Sequence, residues 1–326
     1  MFDVIVIGGA NIDIKARADG KYVAGTSNPG SVSFTPGGVA RNIAHNLGSL
    51  GVNVALISAI GNDAAGKIAV AATSAAGVDL SLCLREDAAT GSYVAVLDGK
   101  GELVSAVNDM RILVNLKPEN VKPHRAALEA AKFIVADCNA RPDLLDYLAL
   151  NFSEKLIIEP VSVSKAQKLL TLLDRHEVFL ATPNRDQIEA MTDTEDLDQA
   201  CQNLHERGLQ NLVVHLGSEG AILSSGKGMK NIDAAGQAQV RDVTGAGDAA
   251  VAGLVYGLLK GYDTFKAAQC GQAAASLVLG STASTAAPCR VRACSSRTGS
   301  SCGKRSTRVR RSPVPSRAVA TRCIAV

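Results

Sequence analysis

Short apolar runs that alternate with helical patterns constrain this chain more than any other feature. Phe2–Ile7, Val52–Ile60, Phe133–Ala136, Lys155–Glu159, Glu177–Ala181 and Asn211–Leu216 each have strand length. Helical patterns stand between them, including Ala64–Ala76, Pro142–Asn151 and Thr194–Gly208. Strands spaced by helices must lie parallel, with the helices covering both faces of one sheet. The expected fold is therefore α/β, a three-layer doubly wound and mostly parallel sheet, and 326 residues suffice for one such domain. One interruption stands out. Gly91–Leu97 and Leu103–Val107 flank Asp98-Gly99-Lys100-Gly101, which reads as a hairpin and suggests a small β side domain. Ile14–Phe34 reads as polar loop with a turn at Ser27-Asn28-Pro29-Gly30.

In such sheets ligands bind beyond the carboxyl ends of the strands. Polar residues collect there: Asn11-Ile12-Asp13, Glu159-Pro160-Val161-Ser162, Thr182-Pro183-Asn184-Arg185 and His215-Leu216-Gly217-Ser218-Glu219-Gly220. Gly8-Gly9-Ala10 lacks the spacing of a dinucleotide loop. Near the other end of the chain, Asp242-Val243-Thr244-Gly245-Ala246-Gly247-Asp248 runs into a small-residue helix. Amides of Gly245, Ala246 and Gly247 at a helix N-terminus would form an anion site. Asp248 would repel a phosphate held there, so its expected task is to accept a proton from an attacking hydroxyl. Taken alone, the same loop reads equally well as an ordinary glycine turn with a helix-start acid. Gly37-Gly38-Val39-Ala40-Arg41-Asn42 opens another helix, and by itself reads as a glycine start with a solvated Arg and Asn.

Composition excludes several classes. Aromatic residues make up 3% and Trp is absent, which argues against a base-stacking nucleic-acid surface. The net charge of +3 is misleading. Ten of the 34 Lys and Arg lie in 286–326, which holds no Asp or Glu, so the rest carries 24 against 31 acids, a net −7. This basic segment has no apolar period and is expected to be disordered or foreign to the fold. Its charge alone would suit a nucleic-acid arm, though the preferred expectation is no nucleic-acid partner. Scattered cysteines without zinc spacing fit a reducing compartment. The absence of a signal-like start or a long apolar run sets a cytoplasmic expectation with no membrane partner.

Together, Asn11-Ile12-Asp13, Gly37-Gly38-Val39-Ala40-Arg41-Asn42, Thr182-Pro183-Asn184 and Asp242–Asp248 resemble the PfkB (ribokinase-like) family of sugar and nucleoside kinases over about Phe2–Thr285. Ser27-Asn28-Pro29-Gly30, Phe34–Val39, Asn108-Asp109-Met110 and Val135-Ala136-Asp137-Cys138-Asn139 are most similar to the family's bacterial pseudouridine kinases. The resemblance implies a kinase domain over 1–285, with a β-lid from about 14–35 and 90–110; by its edge strands the lid hairpin could pair with a second subunit's lid or simply close over its own site. It implies phosphorylation of the 5′-hydroxyl of pseudouridine, with ATP and Mg²⁺ and a possible K⁺. Asp13 would bind the ribose diol with Asn11, Gly37, Gly38 and Asn42, a carboxylate being suited to two charge-assisted bonds. Asp248 would be the base, with an ordinary Asp pKa sufficing in a loose transition state. Asn184, His215, Gly217, Gly220 and Thr244 would face the nucleotide. Asp242 would belong to a monovalent-cation loop, and Asn108 and Asn139 would meet the nucleoside. Where the family has Asn-x-x-Glu this chain has Gln187, which would weaken a Mg²⁺–water network; Glu189, the candidate to compensate, would face another side of the helix. A ribose or other-nucleoside kinase, or a catalytically impaired binding protein of this fold, are the alternatives.

Overall fold

The computed structural model describes residues 1–235 and 245–279. In chain order the first half comprises β1 Val4–Ile7, β2 Asn11–Ala18, β3 Gly30–Gly37, α1 Val39–Ser49, β4 Val54–Ile57, β5 Ala59–Gly61, α2 Ala64–Ala75, β6 Leu84–Glu86, β7 Gly91–Leu97 and β8 Leu103–Asp109. Then come α3 Pro118–Val121, α4 Arg125–Ala130, β9 Phe133–Asp137, α5 Pro142–Phe152, β10 Leu156–Glu159, α6 Val163–Leu173, β11 Val178–Ala181, α7 Arg185–Thr192, α8 Leu197–Glu206, β12 Leu209–His215, β13 Ala221–Ser225, β14 Gly228–Ile232, α9 Ala246–Leu259 and α10 Thr264–Leu279.

The main sheet runs β14-β13-β12-β11-β10-β9-β1-β4. It is parallel from β4 through β12, and β13 and β14 add an antiparallel edge. Every residue of β1 is buried, as a central parallel strand demands. Its side chains divide two cores. Val4 and Val6 pack with α1, α9 and α10 on one face, Ile5 and Ile7 with α5 to α8 on the other. This is the expected three-layer α/β architecture. The chain passes from β1 to β4 on one side and to β9 on the other, so the topological switch lies between β1 and β9, where such sheets open a crevice.

The stretch Ile14–Phe34 is a correction. Its two ends, 14–18 and 30–34, belong to β2 and β3, which join β7 and β8 in a four-stranded sheet of order β3-β2-β7-β8. The loop-like reading came from Lys15, Arg17, Ser31 and Ser33. These residues suit a sheet whose β3 is exposed over most of its length, so no apolar alternation marks the strand. The hairpin of β7 and β8 is present as expected, its turn closed by Gly101 N donating to the Asp98 carbonyl at 2.9 Å. The apolar run Val52–Ile60 divides at Ser58, whose Oγ donates to the Gly8 carbonyl at 2.7 Å, and its last residues pair with β6 instead of the main sheet.

Helices α9 and α10 approach closely because α9 is built of small residues. A Cβ on Gly253 would lie 2.6 Å from the Cys270 carbonyl oxygen, and one on Gly257 2.7 Å from Ala267 Cα. Close backbone approach anchors α9, whose first turn carries Asp248.

Candidate active site

The switch point is held together by one carboxylate. Asp137, at the end of β9, accepts from the backbone amides of Gly9 at 3.0 Å, Ala40 at 2.9 Å and Asn139 at 2.9 Å, and from Asn139 Nδ2 at 3.1 Å. Gly38 caps α1 with no side chain, so Asp137 satisfies an N-terminal amide of that helix from a different strand. Burial raises its pKa, and these four donors oppose the shift. Gly8 is required beside it, since a Cβ there would overlap the carboxylate.

Gly38 has φ +95°, and a Cβ there would overlap the Gly9 carbonyl. Its role is close backbone approach, not ligand selection by a side chain. Gly38→Ala is expected to lose at least about 2 kcal/mol, from a left-handed backbone together with overpacking. Urea unfolding measures it, and a loss under about 0.5 kcal/mol would contradict this account of the turn. Gly37 lies opposite Asn11 in the β2–β3 register, and a Cβ on it would overlap the Asp13 carboxylate. Asp13 accepts from Asn11 Nδ2 at 2.7 Å, and burial raises its pKa.

Gly245 begins α9 in a left-handed conformation, φ +80°, with no side-chain cap. The amides of the first turn therefore have no intrahelical acceptor, and no described residue lies within 4 Å of a Cβ built on Gly247. Asp248 follows at 8% exposure. Asn42 Nδ2 donates to Asp248 Oδ2 at 2.7 Å. Neither Arg41 nor Asn42 is solvated, as the glycine-start reading had them. Both are buried beneath α9, with Arg41 donating to Asn42 Oδ1 and to the Pro36 carbonyl. Nor does Asp248 keep an ordinary pKa. Burial pushes it up to about 7; the Asn42 bond and the Arg41 charge oppose the rise, while Asp137 and Asp13 add to it. A base near neutrality has the proton affinity that acid–base catalysis favours.

Asn184 caps α7 in a reciprocal box. Its Oδ1 accepts from Gln187 N at 2.9 Å, and Gln187 Oε1 accepts from Asn184 N at 2.9 Å. Glutamine serves this box as well as glutamate would, so Gln187 preserves the local geometry while removing a charge. A parallel bridge joins Asn184 to His215, whose Nε2 is buried with no hydrogen-bond partner among the described residues. Burial lowers the His215 pKa to about 4, leaving the ring neutral. Gly217 has open space around it, while Gly220 is held by its own backbone, φ +92°, against the Ile232 carbonyl. Glu189 lies 3.8 Å from Arg185, which also reaches Glu219 at 3.5 Å.

Asn139 accepts from Lys165 Nζ at 2.5 Å, and Asn108 lies at the end of β8 opposite Tyr93. The structure thus joins Asn42 to Asp248, Asn11 to Asp13 and Asn184 to His215. No hydrogen bond or ion pair among the described residues links Asn108 or Glu189 to Asp248. Asp242, Thr244 and the segment 286–326 lie outside the described residues. Sequence reasoning assigned nothing to Arg41, Asp137, Glu159 or Lys165. Asp137 and Glu159 did carry a signal, an acid ending a buried strand. Burial raises the Glu159 pKa well above the usual range, with Asp248 and Asp137 adding to it. Its Oε2 accepts from Val161 N at 2.8 Å, and Val161 has φ +71°, a strained value for a β-branched residue. Among the described residues no three His, Cys, Asp or Glu converge as metal ligands, and no helix is long and apolar enough to cross a membrane.

The profile of the family described as "pfkB family carbohydrate kinase" matches residues 1–289. The pseudouridine kinase of Escherichia coli (strain K12) is 35% identical over 283 residues, covering 85% of this chain and 90% of its own length. A carbohydrate kinase from Agrobacterium tumefaciens superposes with a TM-score of 0.76 at 31% identity, covering 87% of this chain and 93% of that one. Arabidopsis thaliana ribokinase, solved with ribose and ATP, also gives a TM-score of 0.76, at 22% identity and with 88% and 96% coverage, which shows the ribokinase-like fold.

Proposed function

The chain belongs to the pfkB family of carbohydrate kinases, a family of phosphotransferases acting on an alcohol, and from that premise we propose that it phosphorylates the 5′-hydroxyl of pseudouridine with ATP. The observation that carries this reading is the Asn42–Asp248 bond. It ties the glycine-opened helix on the diol side to the acid at the start of α9. The 35% identity to a pseudouridine kinase favours that nucleoside.

The chain's own groups have separate tasks. Asp13, oriented by Asn11, accepts from the two ribose hydroxyls. Asp248 takes the proton of the 5′-hydroxyl through Oδ1, because Oδ2 is occupied by Asn42. The first-turn amides at Gly245, Ala246 and Gly247, which no side chain caps, stabilise charge on the transferring phosphoryl oxygens. Asn184, His215, Gly217 and Gly220 line the nucleotide side. Asn139 and Asn108 approach the base, the first from beneath and the second from the four-stranded sheet, which acts as a lid. Magnesium in such sites is held chiefly by phosphate oxygens and water, with few protein ligands. Magnesium, when bound, would neutralise phosphate charge, and Asn184 and Glu189 are the polar groups that would hold its waters.

A coupled ADP assay with pseudouridine, uridine, inosine and ribose tests the reading, with ³¹P NMR placing the phosphate. Pseudouridine is expected to give a kcat/KM at least about 10-fold above the others, a gap of roughly 1.4 kcal/mol. A higher value for ribose would replace this reading with a sugar kinase, which the Agrobacterium carbohydrate kinase at 31% identity supports.

A further inference from the structure

Arg41 has no task in the transfer described above, yet it is buried to 2% exposure. A buried guanidinium is costly unless its donors are occupied. Nη2 donates to the Pro36 carbonyl at 2.9 Å and to Asn42 Oδ1, and Nη1 lies 3.3 Å from His45 Nδ1. Burial lowers the His45 pKa to about 4, with the Arg41 charge adding to the shift, so its ring is neutral and Nδ1 can accept. None of these three partners is a carboxylate.

Asn42 has one accepting and one donating end. Arg41 can only donate, and the Asp248 carboxylate can only accept. One orientation of the Asn42 amide satisfies both, with Oδ1 on Arg41 and Nδ2 on Asp248 Oδ2. Turned over, the amide would set donor against donor and acceptor against acceptor. We propose that Arg41 is a positioning residue for the general base: it fixes the Asn42 amide, which occupies Asp248 Oδ2 and leaves Oδ1 for the substrate hydroxyl. This rests on the assignment of Asp248 as the base.

The charge on Arg41 has a second effect. Asp248 on α9 faces Asn42 and Arg41 on α1, Asp13 on β2, Asp137 on β9 and Glu159 on β10. Lys15 reaches Asp13 from the same strand, and Lys165 on α6 reaches Glu159. Burial and the acids raise the pKa of Asp248, and Arg41 is the cation that opposes them directly. Removing that charge moves the titration of Asp248 upward.

Arg41→Met removes both donors and charge, while Arg41→Gln keeps a donor without charge. Two readouts are needed. The first is ¹³Cγ-aspartate NMR titration of Asp248 in the full chain, assigned with Asp248→Asn, which requires no turnover. The second is kcat and KM from about pH 6 to about pH 9, using whichever acceptor the wild type phosphorylates best. The Asp248 midpoint is expected to rise by about one pH unit in both variants. At high pH, Arg41→Met is expected to lose roughly 10- to 100-fold in kcat with KM unchanged, and Arg41→Gln to recover most of it. In a cycle with Asn42→Ala, the double variant should be no slower than Asn42→Ala alone. A midpoint that stays in place in both variants, or additive losses in the cycle, overturns the proposal. If Arg41→Met fails to fold by circular dichroism, Arg41→Gln carries both readouts, and Arg41→Lys, which keeps the charge, is expected to leave the midpoint in place. If the wild type phosphorylates none of the tested acceptors, the functional reading fails, and the NMR titration still decides the role of Arg41.

Discussion

Asp248→Asn is expected to lower kcat by roughly 10²- to 10⁴-fold, the range spanned by a positioned general base. Nucleoside binding should persist in calorimetry, because Asp13 and Asn11 are untouched and the new amide can still accept from Asn42. In the wild type, kcat/KM should fall tenfold per pH unit below about 7, where Asp248 becomes protonated. Stability moves the other way. The folded pKa is raised above the unfolded value of 3.8, so the neutral acid favours folding at low pH and that contribution is lost as pH rises through about 7. Above pH 7 the Asn variant should therefore be the more stable protein, by at most about 4 kcal/mol, and below pH 4 the two should match. Turnover within threefold of wild type would remove Asp248 as the base.

Asp137→Ala is expected to cost about 3 to 5 kcal/mol in urea unfolding and to abolish turnover. The substitution strands the buried amides of Gly9 and Ala40 and the half-buried amide of Asn139, each of which loses its acceptor at the junction of β1, α1 and β9. Asp137→Asn retains one accepting oxygen but turns an NH₂ toward N–H donors, so it should lose nearly as much. Because Ala40 is two residues before Asn42, loosening this end of α1 also releases the amide on Asp248. A loss below about 1 kcal/mol for Asp137→Ala would mean that water or another group satisfies these amides.

The central strands were legible because β1, β9 and β10, and the Leu212–Val214 part of β12, are buried apolar runs. β2 and β3 were hidden by the opposite condition. A small sheet exposing most of β3 imposes no alternation on Ser31, Ser33 or Lys15. At the site, the glycine turns and Asp248 announced themselves through residue types that only a close approach or an anion site explains. Arg41 and Asn42 looked solvated because polar residues at a helix start usually are. Their burial depends on α9 lying across α1, a contact between distant parts of the chain. Two of the partners of Asp137, Gly9 and Ala40, lie 128 and 97 residues away, beyond any local pattern. The raised pKa of Asp248 arises from that same long-range enclosure.

The Asn42–Asp248 contact spans 206 residues, which sets the order in which the protein is completed. Contacts of such separation form late, since closing a long loop costs entropy before the contact exists. At synthesis rates of roughly 5 to 20 residues per second, α1 leaves the ribosome about 10 to 40 s ahead of α9. Until then Ile43 and Leu47, part of the core that α9 closes, lack that cover. The nascent chain is most vulnerable to aggregation in this interval, and the arrival of the helix bearing Asp248 ends it while also completing the site.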